Sequence, residues 1–250
     1  MATSDVRPED RDLGPGVEPR GRPVGRRVVL GLAGVGAAGV LLGARIQDLL
    51  ERTVGPLISK DGTGLASLLP FGRFRIYSVT TELPKRSRAE YTLRVHGLVG
   101  QERTFSHDEL VAMTPTSLTR DFQCVTGWRV HDVMWKGVRL SDVLDSVGAQ
   151  PDAKYVLFTS FDGTYTESLS MEQARRRDVL VAYELEGDPL STAHGGPVRL
   201  YVAPMYGYKS LKWLETIEVS NELRRGYWEK KGYDTDAWVG RSNGRDDDAV

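Results

Sequence analysis

Arg120-Asp121-Phe122-Gln123-Cys124-Val125-Thr126-Gly127-Trp128 is the stretch on which the reading of this chain turns. It holds the one cysteine among 250 residues. A lone cysteine forms no intrachain disulfide, so its sulfur is either inert filling or a reactive ligand. Apolar and aromatic neighbours on both sides place it near the core. Taken alone, the stretch favours the inert reading, because most free cysteines are small buried hydrophobes. The rest of the chain has to decide.

Composition narrows the choice. A hydrophobic content of 40% supports a real core, and 250 residues suit one domain with an extension. A net charge of -1 points to no nucleic acid partner. It leaves room for a local basic pocket around a phosphate-bearing cofactor. A single cysteine does not discriminate compartments, and no repeat of solenoid period is present.

Residues 1–25 are rich in Pro, Gly and charge and are expected to be disordered. Arg26-Arg27 then opens an uncharged run that closes at Arg45. Paired arginines ahead of a mildly apolar stretch look like a twin-arginine export signal over 26–45, or a membrane anchor helix. The match is partial, with Gly25 where Ser or Thr is usual and Val29 where Phe is usual. Gly31, Gly34, Gly36, Gly39 and Gly43 argue against a buried soluble helix, since each costs about 1 kcal/mol relative to Ala there. Residues 46–70 read as a linker, 71–240 as the globular domain and 241–250 as a frayed polar tail.

Within the domain, alternating apolar patterns predict strands over 74–80, 91–95, 117–125, 155–160, 179–184, 198–203 and 213–220. Ser106-His107-Asp108-Glu109 has the form of a capping box and predicts a short helix. Ser141 is the expected cap of a second, and Ser170–Arg176 is a third. Many short strands with a few short helices make an α+β domain with β-rich mixed sheets.

Two downstream segments carry chemistry. In His194-Gly195-Gly196-Pro197-Val198-Arg199 the glycines allow close backbone approach to an anion, and a guanidinium grips phosphate. The bland alternative is a turn into a strand with a surface arginine. In Tyr206-Gly207-Tyr208-Lys209-Ser210-Leu211-Lys212-Trp213 two lysines and a hydroxyl could cradle a phosphate, or form a solvated basic hairpin.

These segments, with Phe122–Trp128, resemble the sulfite oxidase family of molybdopterin enzymes in the family's own order, from about Phe74 to Trp238. The resemblance implies a sulfite-oxidase-like molybdopterin-binding fold and a molybdenum-molybdopterin cofactor. It implies Cys124 as the metal ligand and a catalytic residue, and Tyr233 as the active-site tyrosine. His194, Arg199, Ser210, Leu211 (through its backbone) and Lys212 map to cofactor contacts, with Lys209 an added charge. Ser160 resembles a hydroxyl that contacts cofactor in bacterial relatives, and Tyr77, Ser78 and Thr80 are expected to line it. Ser78 stands where sulfite oxidases carry a sulfite-gripping arginine, and a neutral hydroxyl offers no charge-assisted bond. Arg75 or Arg129 would have to substitute in space.

The implied activity is oxygen-atom and two-electron transfer, with sulfoxide reduction as the first reading. Sulfite oxidation on the same fold is the alternative, and a non-catalytic membrane-tethered binding domain is a reading from another class. The expected partners are a small oxyanion or sulfoxide and a separate electron-transfer protein, with a membrane haem protein as candidate. A cofactor inserted in the cytoplasm demands an export route for folded cargo, so the implied location is periplasmic or extracytoplasmic.

Overall fold

Strand β7 (Val179–Leu185) divides the interior, because nearly every residue along it is buried. Alternation sends Val179, Val181 and Tyr183 to one core and Leu180 and Ala182 to a second, aromatic one, and the register shift against the strand Arg129–Arg139 turns Leu185 to the second as well. The computed structural model of the chain describes Phe74, Ser78, Val79 and residues 82–250. Two five-stranded sheets account for its regular β structure.

In the first sheet the order is β2 (Arg103–Ser106), β1 (Thr92–Gly97), β10 (Leu214–Ser220), β5 (Tyr155–Ser160) and β6 (Thr166–Ser170). Only β1 and β10 run parallel within it, tying the start of the domain to its end. In the second sheet β3 (Thr116–Gln123), β4 (Arg129–Arg139), β7 and the short β8 (Asp188–Pro189) follow one another, and β9 (Arg199–Val202) also pairs with β7. Strand β9 alternates as β7 does. Leu200 and Val202 join the larger core, and Tyr201 joins the aromatic core, stacked on Trp135 at 4.3 Å between ring centroids. Period-2 geometry therefore puts Arg199 on the aromatic side with Tyr201.

Helix α1 (His107–Ala112) starts at the expected capping box: Glu109 N–H donates to Ser106 Oγ at 3.2 Å, and Ser106 N–H donates to Glu109 Oε2 at 2.8 Å. Such a cap contributes about 1 kcal/mol. Helix α2 (Leu140–Ser146) starts earlier than expected, with Arg139 rather than Ser141 at the cap and no side-chain cap bond. Burial of Leu140, Val143 and Leu144 at helical spacing sets its start instead. Helix α3 (Met171–Ala174) is capped by Ser170 and Gln173.

The longest strand, β4, was not among the expected ones. Its register shifts between Lys136 and Gly137, and the facing β3 shifts between Arg120 and Phe122. Asp132 adopts φ 53°. These bulges break the alternation on which strand reading rests. A Cβ on Gly137 would sit 2.3 Å from Val181 O, so only glycine allows β4 and β7 to approach there.

Two further expectations need correction. Phe74, Ser78 and Val79 are not in a strand; the rest of 74–80 lies outside the described residues, as do the disordered, signal and linker segments expected over 1–70. The tail 241–250 packs back: Tyr206 donates its hydroxyl to Asp247 Oδ2 at 2.8 Å, and Arg245 Nε donates to the same atom at 2.8 Å. The Tyr206 bond ties Asp247, and with it Arg245, to the domain. Among the described residues no helix is long and apolar enough to cross a membrane.

Candidate active site

Strand β3 ends at Gln123 and the chain turns back at once into β4. Cys124 N–H donates to Trp128 O at 2.9 Å, and Gly127 N–H donates to Cys124 O at 2.9 Å. Gly127 sits at φ 100°, a conformation that glycine adopts without strain. The turn holds Cys124 half-buried on the wall of a cavity of about 500 Å³. Thr126 Oγ1 donates to Cys124 Sγ at 3.2 Å. The sulfur is therefore not sealed in hydrocarbon.

One wall of the cavity is cationic. Arg199 is 3% exposed, and its guanidinium donates only to backbone carbonyls: His194 O at 2.8 Å, Ser210 O at 2.6 Å and Leu200 O at 3.3 Å. Burial lowers its pKa to about 10. Its guanidinium carbon lies 5.2 Å from the Trp135 ring centroid and 5.9 Å from that of Phe122. Lys212 donates to Ala193 O at 2.8 Å, and its pKa is lowered to about 7, by burial first and then by the Arg199 charge. His194 is lowered for the same reasons, burial before the charges of Arg199 and Lys212. Among the described residues the Arg199 guanidinium rests on carbonyls and aromatic faces, and a bound anion would add a charge-assisted partner.

Close backbone approach builds this wall. Gly195 adopts φ 96°, and a Cβ there would lie 2.8 Å from the Lys212 side chain. Gly196 is closer still, 2.1 Å from Leu190 O. Ser210 also lines the cavity, its hydroxyl accepting Val202 N–H at 2.9 Å.

A second part of the lining is aromatic and uncharged. Tyr165 stacks on Tyr227 with centroids 5.4 Å apart. Trp228 meets Tyr227 and Tyr233 at 5.3 Å each, and Tyr208 meets Tyr233 at 5.5 Å. All five line the cavity. Tyr165 and Tyr227 were missed in the sequence; the aromatic density of 227–233 was the available signal.

Of the expected site residues, the cavity gathers Cys124, Ser78, His194, Arg199, Ser210, Leu211, Lys212 and Tyr233. Leu211 lines the cavity, and its N–H donates to Lys209 O at 3.2 Å. Tyr77 and Thr80 lie outside the described residues. Three expectations fail. Lys209 is fully buried, turned to Glu167 Oε1 at 2.6 Å and to Glu229, away from the cavity. Ser160 is also fully buried and serves a turn, donating to Asp162 and accepting Tyr165 N–H at 3.1 Å. Arg129 is used by Gln123 Oε1 at 2.6 Å and by Asp121 Oδ2 at 3.4 Å, and does not line the cavity.

A soft sulfur on one side, desolvated cations on another and some 500 Å³ between them suit a group that joins a thiophilic metal to a phosphate-bearing carrier. Comparison with known proteins agrees. The oxidoreductase molybdopterin binding domain matches residues 80–228. The protein-methionine-sulfoxide reductase catalytic subunit MsrP of Ralstonia nicotianae is 31% identical over 235 residues, covering 81% of this chain and 71% of that one. The sulfite oxidase of Arabidopsis thaliana is 29% identical over 177 residues, 57% of this chain and 45% of that one. Among solved structures, the sulfane dehydrogenase SoxCD of Paracoccus pantotrophus superposes with a TM-score of 0.53 at 22% identity, over 60% of this chain and 42% of its own. That likeness supports the fold.

Proposed function

The chain belongs to the sulfite oxidase family of molybdopterin-dependent oxidoreductases, and from that premise we propose that it reduces a neutral sulfoxide at a Cys124-ligated centre. The carrying observation is one cavity that joins Cys124 to a cationic wall and to a neutral aromatic one.

The roles follow from the chemistry of the walls. Cys124 Sγ would hold molybdenum, and Thr126 Oγ1 donates to that sulfur. Arg199 and Lys212 hold the phosphate of the carrier, and Ser210 and His194 border it. When bound, the molybdenum cofactor supplies oxygen-atom and two-electron transfer. Tyr208, Tyr227 and Trp228 shelter the substrate from water, and the Tyr233 phenol donates to the substrate oxygen. Sulfite carries negative charge and calls for charge-assisted donors. Here Arg199 and Lys212 are taken up by the carrier's phosphate, Arg129 lies off the cavity, and Ser78 is neutral. A neutral sulfoxide suits that wall better.

Electrons come from a separate carrier, with a membrane haem protein as candidate; the name of MsrP, a catalytic subunit, supports a divided enzyme. Export by the twin-arginine route to an extracytoplasmic site is supported by Arg26-Arg27 ahead of an uncharged run.

The test is metal and pterin quantification on protein from a cofactor-competent host, followed by dye-linked assays with methionine sulfoxide and with sulfite. Molybdenum bound with turnover of the sulfoxide alone is expected. Turnover of sulfite alone sinks the substrate assignment, and protein with neither metal nor pterin leaves a binding domain.

A further inference from the structure

We infer that Glu167, Lys209 and Glu229 form a positioning unit for the aromatic wall, and that one proton kept within this trio holds Tyr227, Trp228 and Tyr233 in place. All three side chains are fully buried. Lys209 Nζ donates to Glu167 Oε1 at 2.6 Å, to Ser168 O at 2.7 Å and to Glu229 Oε1. Each member sits beside a piece of the wall: Glu167 two residues after Tyr165, Lys209 next to Tyr208, and Glu229 next to Trp228.

The trio also seats the backbone that carries the wall. Gly226 N–H donates to Glu229 Oε2 at 2.8 Å, and Tyr227 N–H donates to Thr166 O at 2.9 Å. A Cβ on Gly226 would lie 2.8 Å from Glu167 Oε1, so this segment is pressed directly onto the carboxylate.

Charge counting then points to a proton. Two carboxylates around one ammonium leave a net negative charge in a dry site, and an uncompensated buried charge is costly. Retaining one proton removes it. Glu167 is pushed up to about 8, by burial first, with Lys209 opposing and Glu229 adding to the rise. Tyr165 and Tyr208 face the same site as phenols whose pKa values are raised by burial, so they stay neutral and change its charge in neither direction. A carboxyl raised in the folded state from its ordinary 4.5 stabilises fully below that value, and the benefit is lost as pH climbs through about 8. Above that, segment 226–233 should loosen from the cavity.

The loosening does not depend on the sulfoxide reading; its effect on turnover rests on the proposed role of Tyr233. Hydrogen exchange on the holoenzyme at pH about 7 and about 9.5, corrected against β1, reads it directly. Residues 226–233 of the wild type should lose about tenfold more protection than β1, and E167Q, with a neutral carboxamide of the same shape, should not. Over the same range KM of the wild type should rise more than kcat falls, with E167Q flat. Unchanged wild-type protection overturns the inference whatever the variants do. So does E167Q loosening in step with the wild type; if E167Q does not fold, E229Q takes its place. Failure of the sulfoxide reading would appear only in the substrate assay and leave the exchange result standing.

Discussion

Lys209 and Lys212 stand in one motif three positions apart, yet they occupy opposite electrostatic settings. Lys209 is sealed between two carboxylates. Lys212 faces the cavity beside Arg199, and burial with that like charge takes its pKa down to about 7. The first lysine completes a structural site, whereas the second gains from an incoming anion. The short 3-10 turn over Gly207–Lys209 ends between them, with Ser210 at φ -89° and ψ 75°, so the two lysines share no helical face. Two lysines in a motif are therefore not two ligand contacts; burial and countercharge decide which one serves the ligand.

The largest expected effect fixes which side is functional. Cys124→Ser should reduce turnover to background in a folded protein, beyond the about 10–100-fold cost of outer-shell changes at metal sites. Metal content and thermal unfolding on the same sample check it, and equal activity would remove the centre from the cavity.

Lys209→Met strikes the structural side. It leaves two carboxylates buried together and should cost about 3–5 kcal/mol of stability in urea unfolding. Adding Glu167→Gln and Glu229→Gln should recover most of that loss, because a neutral trio carries no stranded charge. A single variant as stable as the wild type would abolish the contrast.

Lys212→Met should do the reverse. The apoprotein should be as stable or more so, since a desolvated cation is removed. Cofactor retention should weaken about ten- to a hundredfold, the worth of a charge-assisted hydrogen bond. Dialysis followed by molybdenum and pterin analysis reads this.

The smallest effect is in pH. Lys212, depressed from 10.5 to about 7, binds fewer protons folded than unfolded, so its share of apoprotein stability rises with pH between those values. Glu167, raised from 4.5 to about 8, makes its share fall over that window. Unfolding at a series of pH values should show the rising limb vanish in Lys212→Met and the falling limb vanish in Glu167→Gln.

Much of the site was legible because its chemistry is local. The Cys124 stretch, the glycines at 195 and 196 and the run 206–213 were legible through the family order they resemble; singly, each also fits an inert thiol, a plain turn or a solvated hairpin. Strand β4 was not legible, because bulges at Asp132 and Gly137 destroy the alternation by which a strand is recognised. Ser160 looked like a ligand hydroxyl, yet its hydroxyl is spent on Asp162 and Tyr165 in its own turn. Glu167 drew no attention, since in sequence it is one more acid between Thr166 and Ser168. Its importance arises only where it meets Lys209, 42 positions along the chain, and Glu229, 20 positions beyond that lysine.

The order of residues alone determined that the chain carries a thiol, a glycine-bounded arginine loop and a basic, aromatic motif suited to a molybdopterin enzyme. Those are properties of side chains and of backbone freedom, and they need no partner. The tertiary structure decided which cations face the cavity, which are cancelled in the interior and that the remaining wall is neutral. Desolvation and countercharge are set by neighbours distant in the chain, so no local pattern encodes them.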